Sequence, residues 1–119
     1  MDLNGVKDLV QQYFDANYDQ DSKKLERAFN EAAHIYGIQG GEVLSDMPRD
    51  EFIKFVSSMP HMEYPREDEI LSIDFTGQYT AVARVKIRVG PTMFTDVLSL
   101  VNLNGVWSII AKLYSGEAI

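Results

Sequence analysis

The chain has 119 residues, 11 basic and 18 acidic side chains for a net charge of −7, 45% apolar residues and no cysteine. Its length fits one ordinary domain, residues 1–119 with a core over about 6–115, because domains cluster near ~100–150 residues. The missing cysteines exclude a disulfide scaffold, a thiolate nucleophile and a Cys-ligated metal, and the acidic balance argues against a nucleic-acid partner.

Taken in chain order, Val6, Leu9, Val10, Tyr13, Phe14 and Tyr18 follow helical spacing, with Asn4 as the expected N-cap. Asp21 can cap a second short helix that buries Leu25, Ala28 and Phe29. A short strand is expected over 33–38, ending near Gly40–Gly41. A third helix then starts around Pro48, a residue favoured at the first helical position, buries Phe52, Phe55, Val56 and Met59, and stops at Pro60. The second half alternates with period two. Leu71, Ile73 and Phe75 form one set before a turn at Thr76–Gly77. Ala81, Ala83, Val85, Ile87 and Val89 then alternate with Val82, Arg84, Lys86 and Arg88. After a turn at Gly90–Pro91 come strands over 93–103 and 106–115, joined by Asn104–Gly105, a strong two-residue hairpin signal. No apolar run reaches the ~18–20 residues of a membrane span, and residues 1–10 have no signal-peptide pattern, so a cytoplasmic location is expected. Helices segregated before an antiparallel meander predict an α+β roll, with three helices on one face of a curved, mostly antiparallel sheet.

A two-residue turn pairs Leu103 with Val106 and so assigns faces. Phe94, Asp96, Leu98, Leu100, Asn102, Trp107, Ile109, Ala111 and Leu113 share the face expected to meet the helices. Thr95, Val97, Ser99, Val101, Ser108, Ile110, Lys112 and Tyr114 share the other, mixed face, which predicts a homodimer through the outer side of the sheet. A bulge would invert everything beyond it, and only then could Lys112 pair with Asp96.

Asp96 is the leading candidate for chemistry, because a carboxylate among Phe94, Leu98 and Leu113 must be paired, hydrogen-bonded or protonated. Tyr13 lies on the apolar stripe of the first helix with a phenol that needs a partner. His34 and Tyr36 alternate on the short strand, and the imidazole could serve as general acid or base. Catalysis, if present, is expected to use Asp96 with Tyr13 or His34. Tyr13, Tyr36, Phe55, Asp96, Leu98, Trp107, Lys112 and Tyr114 are expected to contact a ligand. His34 and His61 are isolated and show no metal-ligand spacing, so no metal or cofactor is expected. The comb Arg84, Lys86, Arg88 reads as a solvated strand face, with Glu67, Asp68 and Glu69 opposite it.

Three stretches carry a family resemblance: residues 13–21, from Tyr13-Phe14 to Asp21; the run Ala28-Phe29-Asn30-Glu31-Ala32-Ala33-His34-Ile35-Tyr36-Gly37; and Phe94-Thr95-Asp96 through Asn104-Gly105-Val106-Trp107-Ser108-Ile109 to Lys112. On these, the chain resembles the nuclear transport factor 2-like (SnoaL-like) superfamily with its cone-shaped, cystatin-like roll. Within it the chain is most similar to the "putative lumazine-binding" group. The steroid-isomerase branch of that superfamily uses a carboxylate base with a tyrosine and a protonated aspartic acid as oxyanion donors. The resemblance sets Tyr13 at the tyrosine position and Asp96 or Val97 at the acid's. It sets Gly37, which has no side chain, at the base's. The expected function is therefore a dimeric pocket protein holding a small, partly apolar or heteroaromatic ligand. The alternatives are a cofactor-free isomerase, dehydratase or cyclase, and a non-catalytic dimerisation domain.

Overall fold

A computed structural model describes residues 1–119. The first amphipathic run forms α1, Leu3–Asp19, longer at its start than its apolar spacing implies. Asp2 rather than Asn4 closes it, because the Asp2 carboxylate accepts the Gly5 N–H at 2.9 Å and leaves Asn4 inside the first turn. Gln20 ends the helix in the left-handed region. Asp21 caps α2, Ser22–Ala28, by accepting from Lys23 and Lys24, as the sequence predicts.

The chain turns at once into β1, Phe29–Gln39, four residues earlier than expected. Glycines at φ 60° and 71° (Gly40, Gly41) reverse it into β2, Val43–Pro48, a strand the apolar pattern does not announce. Only Ser45 and Met47 of β2 are even half-buried, which is why an edge strand here is invisible to periodicity. Pro48 is the N-cap of α3, Arg49–Ser58, not its first residue. Phe52 and Val56 are buried on α3 as expected and Ile53 joins them. Phe55, however, is 55% exposed, a correction to its expected core position.

The meander follows as β3 (Asp68–Phe75), β4 (Thr80–Val89), β5 (Thr92–Leu103) and β6 (Val106–Ala118). The spatial order β2-β1-β6-β5-β4-β3 is antiparallel except where β1 runs parallel to β6. The result is the α+β roll expected from the sequence. Ala81, Ala83, Val85 and Ile87 are buried while Val82, Arg84 and Lys86 face solvent. Glu69 does sit opposite Lys86, and Glu67 lies 3.7 Å from Arg88. On β3 a register shift between Ile70 and Ser72 turns Leu71 outward and Ile70 inward, against the Leu71-Ile73-Phe75 set. Asn104 and Gly105 both have positive φ, 54° and 85°, as a type I′ hairpin requires. Leu9, Val10 and Phe14 of α1, Leu25 of α2 and Phe29 meet Ala83, Val85, Leu98, Leu100 and Ile109 in one core. No helix is long and apolar enough to cross a membrane.

Candidate functional site

One extra residue in β6 decides which side chains face the helices. From the hairpin, Leu103, Asn102, Val101 and Leu100 pair with Val106, Trp107, Ser108 and Ile109. The next pair is Ser99 with Ala111, so Ile110 is bulged. Every β6 residue beyond it changes face relative to a strict alternation. Ala111 and Leu113 turn outward, and Leu113 is 50% exposed. Lys112 and Tyr114 turn inward, opposite Leu98 and Asp96. The strict assignment is therefore corrected for these four residues, and the conditional pairing of Lys112 with Asp96 is realised.

Asp96 is fully buried, and its Oδ2 accepts the Tyr13 hydroxyl at 2.5 Å, within the range of hydroxyl–carboxylate bonds. The Lys112 Nζ stands 3.9 Å from the same oxygen. That is close enough for charge attraction and too far for a hydrogen bond. Asp96 Oδ1 has no hydrogen-bond partner. The ammonium lies 4.6 Å from the Phe52 ring centroid, 5.3 Å from that of Tyr13 and 5.8 Å from that of Tyr114, so three aromatic rings surround it. Burial pulls the Lys112 pKa below the usual lysine value, and the Asp96 charge opposes that shift without cancelling it. Burial, reinforced by Asp96, holds the Tyr13 phenol far above its ordinary value of about 10, so it remains a donor.

The unfolded chain releases its tyrosine protons near pH 10 while folded Tyr13 keeps its own. The stability Tyr13 contributes is complete below that pH and is lost as pH rises toward the folded value. Lys112 acts in the opposite direction, but only up to the unfolded lysine value of 10.5. The urea midpoint is therefore expected to fall steeply above about pH 10.5, and Tyr13→Phe is expected to flatten that fall. An unchanged slope in the variant would contradict the assignment. The comparison isolates Tyr13 because Tyr64, also raised by burial, is untouched.

Above the pair opens a cavity of about 360 Å³. Tyr13 and Asn17 of α1, Phe52, Phe55 and Val56 of α3, and Ile35 of β1 form part of its wall. Ile87, Val89, Phe94, Lys112 and Tyr114 of the sheet form much of the rest. Met47, Met59 and Met62 add flexible thioether walls, suited to irregular ligand shapes. Phe55 and Met62 are exposed as well as lining, which puts them at the mouth.

Of the side chains expected from sequence, Tyr13, Phe55, Lys112 and Tyr114 line this cavity. Asp96 lies beneath it, reached through Tyr13 and Lys112. Leu98 is fully buried core and does not line it. Trp107 lies elsewhere: its indole N–H donates to Asp2 at 3.0 Å, and its ring packs edge-on against Phe75. It pins the start of α1 and does not line this cavity. His34 and Tyr36 also depart from expectation, because buried Ala33, Ile35 and Gly37 between them take the inner face. Their rings stack with centroids 6.0 Å apart on the outer face, with His34 Nδ1 2.7 Å from Asp46. His34 therefore cannot share an acid–base step with Asp96. Phe52, Phe94 and the methionines were legible as apolar residues, but no pattern marked them as cavity wall. No cluster of three His, Cys, Asp or Glu side chains is placed to hold a metal ion.

Gly37, where the family resemblance would set a carboxylate, packs directly against Tyr114. A Cβ at Gly37 would lie 2.2 Å from Cζ and 2.6 Å from the hydroxyl of Tyr114. The phenol of Tyr114 thus fills the volume a side chain at 37 would need, and it rests edge-on against Phe94.

Comparison with known proteins agrees with this architecture. A family model described as "Putative lumazine-binding" matches residues 1–115. A nuclear transport factor 2-like protein of unknown function from Silicibacter pomeroyi is 28% identical over 97% of this chain and 95% of its own, with a TM-score of 0.86. Another from Shewanella baltica is 23% identical over 98% and 94%, with a TM-score of 0.88. A ketosteroid isomerase-like protein from Erwinia carotovora is 15% identical over 100% and 98%, with a TM-score of 0.79, a likeness of fold alone. No curated protein matches the chain in sequence.

Proposed function

Because this chain belongs to the nuclear transport factor 2-like family described as "Putative lumazine-binding", we propose that it is a pocket protein for a small, flat, partly apolar or heteroaromatic compound. The observation that carries this reading is the apolar cavity of about 360 Å³ with a single cation, Lys112, in its wall. Clefts of this size, mostly apolar with a few convergent polar groups, are the usual form of a small-molecule site. Flat rings suit the aromatic walls of Phe52, Phe94 and Tyr114. Ligand carbonyl or ring-nitrogen acceptors suit the free N–H donors of Lys112. Acid–base catalysis is the second reading, favoured by the unpartnered Oδ1 of Asp96 next to a phenol that keeps its proton.

The same reading includes a homodimer through the outer sheet face. Val82 and Leu113 are exposed there, with Val97, Val101 and Ile110 half-buried beside them.

Lumazine and 2-naphthalenemethanol are suitable probes. At least one of the two is expected to raise the melting temperature of the native chain. Met59→Trp, which fills the cavity from a flexible, partly buried wall position, is expected to weaken that probe's binding by about tenfold or more, about 1.4 kcal/mol. Absence of any shift with both probes, or equal binding by the variant, would reject the pocket reading.

A further inference from the structure

We propose that Lys112 is a nucleophile in this cavity, adding through Nζ to the carbonyl carbon of an aromatic aldehyde or ketone to form a reversible imine. The inference rests on the pocket reading above and adds a reactive class of ligand to it. Four features of Lys112 carry it. Its side chain lines the cavity yet is only 9% exposed, so the amine meets a bound ligand and little water. Nζ has no hydrogen-bond acceptor, since its nearest charged oxygen is 3.9 Å away. Three aromatic rings flank it and offer a stacking surface for a flat carbonyl compound. Burial also moves the amine toward its neutral, nucleophilic form, the condition under which lysines serve in imine chemistry.

The groups facing Nζ supply the rest. Tyr13 comes from α1, Asp96 from β5 and Tyr114 from β6 itself, while Phe52 of α3 and the paired Ile35 of β1 bring no charge. The nitrogen lone pair attacks the carbonyl carbon, and the C=O π pair moves to oxygen. Asp96 is the nearest group to relay the two protons that leave nitrogen. The first passes to the alkoxide and gives the carbinolamine hydroxyl. The second protonates that hydroxyl as it departs as water while the nitrogen lone pair closes the C=N bond. The sum is R–CHO and Lys–NH₂ giving R–CH=N–Lys and water, with no redox partner.

An ordinary lysine is neutral in only about one molecule in a few thousand at pH 7, and each unit of lowered pKa raises that fraction about tenfold. The test is to incubate the native chain with 2-naphthaldehyde and sodium cyanoborohydride near neutral pH and to map the naphthylmethyl groups by peptide mass. Lys112 is expected to be labelled about tenfold or more faster than Lys7, Lys23, Lys24, Lys54 and Lys86, although it is the most buried of the six. Met59→Trp is expected to suppress that labelling. The α-amine, a weaker base, is counted separately. Labelling of Lys112 no faster than the other lysines overturns the proposal. If 2-naphthalenemethanol still raises the melting temperature, the pocket survives that result; if neither probe does, both readings fall. Fast labelling that Met59→Trp leaves unchanged also overturns it, because the carbonyl would then not be held in the cavity.

Discussion

Asp96→Ala is expected to destabilise the fold by about 3–5 kcal/mol, the penalty for removing one partner of a buried pair. Two groups lose their partner at once. The Tyr13 hydroxyl, buried with its ring, is left without an acceptor, and the Lys112 ammonium is left without a counter-charge. The rings of Phe52, Tyr13 and Tyr114 soften the second loss, because their faces attract a cation, and that places the expectation toward the lower end of this range. For a chain of this size the melting temperature should fall by about 10–20 °C. Asp96→Asn keeps an acceptor for Tyr13 but no charge, and should fall between wild type and alanine. Asp96→Leu combined with Lys112→Met removes both charges and should recover the part of the loss that comes from the unpaired ammonium, since apolar replacement of a buried pair is often close to neutral, while the Tyr13 hydroxyl still lacks its acceptor. The measurement is urea unfolding of the four proteins. A loss under about 1 kcal/mol in Asp96→Ala, or a double variant worse than the single one, would mean that the pair does not hold the cavity floor together.

The same residues show how far the site was legible before any coordinates. Helix α1 and its stripe, the Asp21 cap, the alternation of β4 and the Asn104–Gly105 hairpin are local signals, fixed by period and turn chemistry within a few residues. They suffice to place Asp96 and Tyr13 on facing surfaces. The Lys112 side chain depends on a bulge at Ile110, and a bulge changes no residue type. The alternation Ile109, Ala111, Leu113 is as apolar as a core strand, so periodicity assigned it inward. Ile109 does stay in the core, but beyond the bulge Ala111 and Leu113 lie on the outer face instead. His34 fails for a related reason: β1 carries apolar residues at Ile35 and Ile38 and small ones at Ala33 and Gly37. Its inner face is therefore defined by β6 and β2 on either side, not by its own sequence. Cavity walls are harder still, because Phe52, Phe94 and Met59 look like core until the space beside them is known.

Gly37→Ala is expected to reduce affinity for a cavity probe by about tenfold or more, about 1.4 kcal/mol. Stability should fall by the ~1–3 kcal/mol typical of an overpacked interior. Gly37 is not held by a positive φ, so its backbone tolerates any residue; its constraint is the Tyr114 ring, whose Cζ would lie 2.2 Å from the new methyl. The ring must swing, and Phe94 and β1 close two of its sides while the cavity lies open on the remaining one. Swinging there takes the space of the ligand, so binding suffers as well as folding. Tyr114→Leu in the Gly37→Ala background removes the colliding ring end and should restore part of both losses. The two sites would then show strong coupling in a double-mutant cycle read by thermal shift with 2-naphthalenemethanol. Additive effects would show that the ring has another place to go. The coupling explains the empty position in chemical terms: a carboxylate at 37 and a tyrosine at 114 compete for one volume. In this chain the phenol holds it, beside Lys112 and over the Tyr13–Asp96 bond.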